Sequence, residues 1–279
     1  MANTTWNPSD KHANITLSGG NLIAKNTVGL QPCLVRTVDR QVSGKFYWEA
    51  TFDVAGISTT AVGMVKQSLA TTDYIAGGIG TTIGTVGVNS TGQVQCDNSA
   101  TVSIDGGSVV VGLGTITAGT VVCIAVDLTN RLAWFRLGAA GNWNASASRN
   151  PATGSGGIFC KNLGIGIPAY PAVNVVALND QITANFGDSA FTGAAPAGFT
   201  SGFTAGASIP TNVLATQAAA EHWGDAPSFA RLTQIAAEHW ATVDTGTTYA
   251  VLTQIGIEHW ASVAPAPPVG GTLRVMVLG

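Results

Sequence analysis

Charge is what this chain has least of. Asp, Glu, Lys and Arg make up 10% of its 279 residues, against about 25% in an average soluble domain. Long hydrophobic runs are also missing. A spanning helix needs roughly 18 consecutive apolar residues, and the longest run here, around Val121 to Val126, is far shorter. Membrane insertion is therefore not expected. Disorder is excluded from the other side: disordered chains are poor in apolar residues and high in net charge, whereas this one is 46% hydrophobic with a net charge of −3. No basic stripe exists to neutralise phosphates, because the 12 Lys and Arg are scattered, so no nucleic-acid partner is expected. Met1 to Trp6 has neither a basic n-region nor an apolar h-region. Without a signal peptide, synthesis and folding in a cytoplasm are expected. The four cysteines, Cys33, Cys96, Cys123 and Cys160, lie far apart with no CxxC pair, which predicts buried free thiols.

What is present is a series of short strands punctuated by turns. Gly44 to Val54 is aromatic and β-branched, and Gly56 closes it. Val121 to Leu128 reads as a buried strand ended by Thr129-Asn130, and Leu132 to Leu137 follows at hairpin distance. Tyr170 to Leu178 and Gln181 to Gly187 are predicted to pair around Asn179-Asp180. Turn signals recur every 8 to 14 residues without sustained helical periodicity, which predicts an all-β, antiparallel sandwich over residues 1–203. One segment differs. Asn142 to Gly157 is long, polar and turn-rich with one exposed-looking tryptophan, and loops of that length inside a compact domain are often functional.

After Phe191 the composition shifts to Gly, Ala and Pro, placing a linker at 204–212. Three copies of a Gln-x-x-x-Glu-His-Trp core then occupy 213–263, ending at Trp223, Trp240 and Trp260. A Pro-rich break and a last strand fill 264–279. Helical spacing puts Leu232, Ile235, Ala236 and Trp240 on one face, and strand alternation also fits. Gly256 and the β-branched flanks favour strands. Each unit is too small to bury its own face, so the repeats are expected to pack on one another or on another subunit.

The first 203 residues resemble the SPRY family, an all-β binding module. Trp6-Asn7-Pro8-Ser9-Asp10-Lys11 and Ile15-Thr16-Leu17-Ser18 look like its entry strand in bacterial and phage versions. Ser43-Gly44-Lys45-Phe46-Tyr47-Trp48-Glu49 is similar to its Ser-Gly-Lys-x-Tyr-x-Glu strand. Ala61-Val62-Gly63-Met64, the Ile124–Leu128 and Leu132–Phe135 hairpin, Tyr170-Pro171-Ala172-Val173, Ile182–Gly187 and Ala195-Pro196-Ala197-Gly198-Phe199 follow in the family's order. Two departures fall on loops: Gly77 to Gly92 lacks the usual aromatic strand, and the loop after Trp143 is long. SPRY domains bind through such loops, so the resemblance implies ligand-binding candidates at Tyr74, Asn142, Trp143, Asn144 and Arg149. The C-terminal repeats look like the Thr-Gln-x-x-x-Glu repeats of tailed-phage and prophage structural proteins.

Chemistry finds little purchase. Adjacent residues on a strand point to opposite faces, so the pairs Glu221/His222, Glu238/His239 and Glu258/His259 do not chelate readily, and no metal or cofactor is expected. His222, Trp223, His239, Trp240, His259 and Trp260 are instead candidate assembly residues. Outside the repeats only His12 is available, which leaves a Ser-His-Asp triad unsupported. Glu49 and Asp53 share a strand face about 13 Å apart at ~3.3 Å per residue, too far for a glycosidase pair. Asp127 has a turn position, where backbone bonding is its common role. A non-enzymatic phage virion protein is expected, a homo-oligomer with a trimer favoured. It would be a tail fibre, spike or head fibre whose SPRY-like domain meets a host surface receptor or glycan. A capsid decoration or collar protein binding other virion proteins is the alternative, and a glycan depolymerase has the least support.

Overall fold

Residues 3–54, 56, 59–69, 79–163 and 167–204 are described by a computed structural model. They belong to the first of two units into which the chain divides, Met1–Gly206 and Ala207–Gly279. Except for Thr204, the predicted linker, repeats and terminal strand lie outside the described residues.

Strands form wherever β-branched and aromatic side chains alternate or run together between turn residues. Among the described residues there are sixteen strands, two single 3-10 turns and no α-helix. One sheet runs in the order β1 (Trp6–Lys11), β4 (Cys33–Thr37), β14 (Ala169–Val175), β6 (Ala61–Lys66), β7 (Thr85–Asn89) and β8 (Gln93–Cys96). The other runs β2 (Ile15–Ser18), β3 (Ile23–Asn26), β15 (Gln181–Asn185), β5 (Lys45–Val54), β11 (Thr120–Asp127), β12 (Leu132–Leu137), β13 (Ile158–Phe159) and β9 (Thr101–Ile104). Strand β10 (Gly107–Gly112) joins them. Gly107 to Val110 pair with β9, and Val111 and Gly112 pair with β8. A strand that switches sheets in this way makes the corner of a sandwich. Neighbours in both sheets are antiparallel, and β16 (Thr200–Ser201) adds a short parallel pairing to β5.

The predicted sandwich is thus present, and so is the predicted hairpin: β11 and β12 pair from Val122↔Leu137 to Asp127↔Leu132. Asp127 has the backbone role its position suggested, accepting from Asn130 N at 3.0 Å and Asn130 Nδ2 at 2.8 Å. The pairing predicted around Asn179-Asp180 is corrected. Strand β14 pairs with β4 and β6, whereas β15 pairs with β3 and β5 in the opposite sheet. The chain crosses between sheets here because Asp180 is buried and its carboxylate gathers donors from both sides. It accepts from Val176 N at 3.2 Å, Ala177 N at 2.8 Å, Gly56 N and the Thr60 hydroxyl.

The main core lies between the sheets. Trp6 meets Phe186 and Trp48 edge-on at 5.0 and 6.3 Å, and Phe46 meets Phe203 at 4.9 Å. Full burial of each such side chain is worth about 1.5–3 kcal/mol. Two smaller clusters lie outside it. Leu34, Ala61, Val65, Leu69, Ile79, Tyr170 and Ala172 form one on the first sheet. Tyr47, Cys123, Ala125, Trp134 and Phe199 form the other on the second. Strands buried on both faces read as continuous apolar runs rather than alternating ones, as Val121 to Val126 does.

Replacing Asp180 with Ala strips four donors of their acceptor, two of them, Thr60 and Val176, on buried residues. The full chain should lose about 3–4 kcal/mol in urea unfolding. A loss below about 1 kcal/mol would show that the crossover does not rest on this carboxylate.

Candidate functional site

The loop singled out in the sequence, Asn142 to Gly157, lies along the edge of β12. Strand β13 pairs with β12 only at Leu132 and Ala133, so the next backbone groups of β12 need another partner. The Asn144 side chain supplies it. Its Oδ1 accepts from Phe135 N at 2.9 Å, and its Nδ2 donates to Ala133 O at 3.1 Å and Gly156 O at 2.9 Å. An amide side chain thereby stands in for a strand's peptide group. Asn144 sits at φ 47°, ψ 37°, a left-handed conformation that Asn tolerates better than most residues.

The rest of the loop is tied as closely. Asn150 and Ser155 exchange two backbone bonds at 3.0 and 3.1 Å, and the Asn150 side chain accepts from Ala152 N at 3.0 Å. Ser155 O accepts from Trp134 Nε1 at 2.9 Å. Arg149 donates to Asn144 O, and its stem lies so close to Gly156 that a Cβ there would meet Arg149 Cγ at 2.1 Å. The outward-facing side chains include Asn142, Ser148, Asn150, Thr153 and Ser155, all polar and uncharged.

Beneath the loop is the cluster on the outer face of β5, β11 and β12. Tyr47 meets the edge of Trp143 at 6.4 Å and Phe191 at 5.0 Å. The Arg136 guanidinium stacks on Trp143, 4.4 Å from the ring centre, and donates to Ala194 O at 3.3 Å. Glu49 is buried and holds the 192–193 backbone down, accepting from Thr192 N at 2.8 Å, Gly193 N at 2.7 Å and the Tyr47 hydroxyl at 2.5 Å. Gly193 leaves no room for a side chain, since a Cβ would sit 2.6 Å from Arg136 Nη2 and 2.8 Å from the Tyr47 oxygen. Burial pushes the Tyr47 phenol far above its usual range, and its bonds to Cys123 and Glu49 add to the rise. Burial likewise raises the Cys123 thiol and pushes Cys33 up to about 11. These groups stay protonated near neutrality, where they act as hydrogen-bond donors within the packing.

The structure therefore brings together Asn142, Trp143, Asn144 and Arg149 and gives them different situations. Asn142 is exposed, Trp143 and Arg149 are partly buried, and Asn144 is fully buried with its amide engaged. Tyr74 lies outside the described residues, as do His222, Trp223, His239, Trp240, His259 and Trp260. The carboxylates weighed for glycosidase chemistry are engaged in the fold: Glu49 as above, Asp53 with Thr183 and Gln181, and Asp127 with Asn130 and Lys45. Among the described residues no three His, Cys, Asp or Glu side chains gather to hold a metal, and no helix is long and apolar enough to cross a membrane. Sequence reasoning missed Arg136 and Phe191. Arg136 was detectable as the one charge in Leu132–Leu137, on the same strand face as Trp134. The cysteines are free and buried, as predicted.

Asn144→Ala removes both the donor and the acceptor that close the β12 edge. It should cost about 2–3 kcal/mol in urea unfolding and open the 142–157 loop to proteolysis in the folded protein. A loop that stays as resistant as wild type would contradict this role.

No protein-family model and no curated protein sequence matches this chain. Solved structures similar to it include the SPRY domain of human HERC1, with 14% identity and a TM-score of 0.46 over 66% of this chain and 99% of that one. The stonustoxin structure is similar at 16% identity and a TM-score of 0.43, over 66% of this chain and 27% of that one. The TRIM65 PSpry domain is similar at 14% identity and a TM-score of 0.42, over 66% and 92% of the two chains.

Proposed function

We propose that the chain is a non-enzymatic structural protein of a phage particle, a homo-oligomeric tail fibre, spike or head fibre. Its SPRY-like sandwich presents the 142–157 loop to a host surface receptor or glycan. The observation that carries this reading is the way the loop is built. Its interior is closed by Asn144, Arg149 and the Trp143–Arg136 stack, while its exterior offers Asn142, Ser148, Asn150, Thr153 and Ser155 in fixed positions. Uncharged hydroxyl and amide groups on a rigid support suit exchange of hydrogen bonds with a polyhydroxylated ligand, and rigidity lowers the entropy cost of binding. The sequence resemblance of the C-terminal repeats to tailed-phage proteins supplies the particle context.

A second reading, a decoration or collar protein that binds other virion proteins, is favoured by a different feature. Val28, Leu30 and Leu178 are 64%, 75% and 56% exposed. They lie on two connections strapped together by the Asn26 side chain, which donates to Val176 O at 2.7 Å. Exposed apolar side chains on a rigid mount suit a protein neighbour.

Adsorption of the full chain to bacterial cells and to a glycan panel tests the first reading. Ser148→Ala combined with Asn150→Ala, or Trp143→Ala, should weaken adsorption by about tenfold or more, equivalent to about 1.4 kcal/mol. Undiminished adsorption by folded loop variants would overturn the receptor-binding role. Loss of adsorption only in Leu30→Ser or Leu178→Ser would favour the second reading.

A further inference from the structure

Cys96 closes β8, and Cys160 directly follows β13. Far apart in sequence, they meet at one rim of the sandwich. Cys96 Sγ lies 4.0 Å from the carbonyl oxygen of Phe159, the carbonyl bonded to the Cys160 nitrogen. A second tether runs alongside it, Asn162 N donating to Asp97 Oδ2 at 3.2 Å. The Cys96 backbone is itself fixed, exchanging two bonds of 3.0 Å with Ser99 across a tight turn. Cys160 is fully buried, and Cys96 is 5% exposed. The Cys160 thiol is held well above its usual range, first by burial and then by hydrogen bonding with Cys96. The Cys160 thiol donates to Ile158 O at 3.5 Å, one residue before the carbonyl that the Cys96 sulfur touches. Cys33 and Cys123 have other surroundings, Cys33 beside Gln31 O and Cys123 beside Glu49 and Gly138 O.

A disulfide requires two backbones that lie close together, and here two side chains of one segment, Cys96 and Asp97, already touch the backbone of the other at Phe159 and Asn162. We propose that Cys96 and Cys160 form a cross-linking site that closes to a disulfide when the folded chain meets a disulfide oxidant such as oxidised glutathione. The Cys96 thiolate, at the rim, attacks the glutathione disulfide, forming a mixed disulfide and releasing one glutathione thiolate, which takes up the Cys96 proton. The Cys160 thiolate then attacks Cys96 Sγ, forming the internal S–S bond and expelling the second glutathione, which takes up the Cys160 proton. Two protein thiols are oxidised and one glutathione disulfide is reduced to two thiols. A chain folded in a reducing compartment and later moved to an oxidising one would thus gain a staple between β8 and β13. The site stands on its geometry and does not depend on the proposed function.

The test uses the full chain, folded, incubated with oxidised glutathione at mildly alkaline pH and then denatured for thiol counting and peptide mapping. Two of the four thiols should be lost, with Cys96 and Cys160 recovered in one cross-linked peptide pair. Tm should rise by roughly 5–15 °C and fall back on reduction. Cys96→Ser should keep its remaining thiols, and Cys160→Ser should accumulate a single glutathione adduct at Cys96. Should Cys160→Ser fail to fold, the wild-type peptide map and the rim variant Cys96→Ser decide the matter. Four thiols remaining in the wild type, or lost thiols mapping to another pair or to a second copy, would overturn the proposal. A cross-link with unchanged Tm would overturn the staple.

Discussion

Strand β5 is buried on both faces, and its second burial hangs on Glu49. Trp48, Ala50 and Phe52 face the core between the sheets, while Tyr47 and Glu49 face outward. An outward carboxylate on a central strand would ordinarily meet water. Here it meets two backbone N–H groups and a phenol. Charge-assisted bonds of this kind are stronger than neutral ones, and they bring Thr192 and Gly193 down onto the sheet. Phe191 and Phe199 come down with them and complete a second small core with Tyr47 and Trp134. Trp143 and Arg136 close its border, and the 142–157 loop rests on that border.

This arrangement gives the scarcity of charge among the described residues a physical cause. A sandwich with bare outer faces would show polar residues at every second strand position. In this chain clusters cover parts of both outer faces, and β4, β7 and β14 are buried at every residue. Less strand surface is left for water, and fewer charged side chains are needed to solvate it.

Much of the frame was legible in the sequence because its signals are local. The aromatic run around Phe46 to Phe52 and the apolar run around Val121 to Val126 announce central strands, and Asp127 to Arg131 announces the hairpin between β11 and β12. The β14 to β15 connection was not legible, because Asn179-Asp180 carries the signal of a turn whether the strands stay in one sheet or change sheets. What decides is where Asp180 finds donors, and two of them, Gly56 and Thr60, are distant in sequence. Strands β7 to β10 were hard to read individually, since Gly, Thr and Val mix there without apolar contrast. In the candidate site, length and polarity marked the loop. They could not show that Asn144 acts as a strand's peptide group or that Arg136 reaches Trp143, because both depend on contacts made only after folding.

The central claim is that Glu49 holds the covering segment, and through it the loop, on the second sheet. Hydrogen exchange on Glu49→Gln in the full chain tests it most directly, because the substitution places an N–H donor against donors. The account predicts faster exchange at Thr192, at Gly193 and across 142–157 together, with the amides paired between β6 and β14 still protected. Unchanged protection at 192–193, or loss of protection there with the loop unaffected, would contradict it.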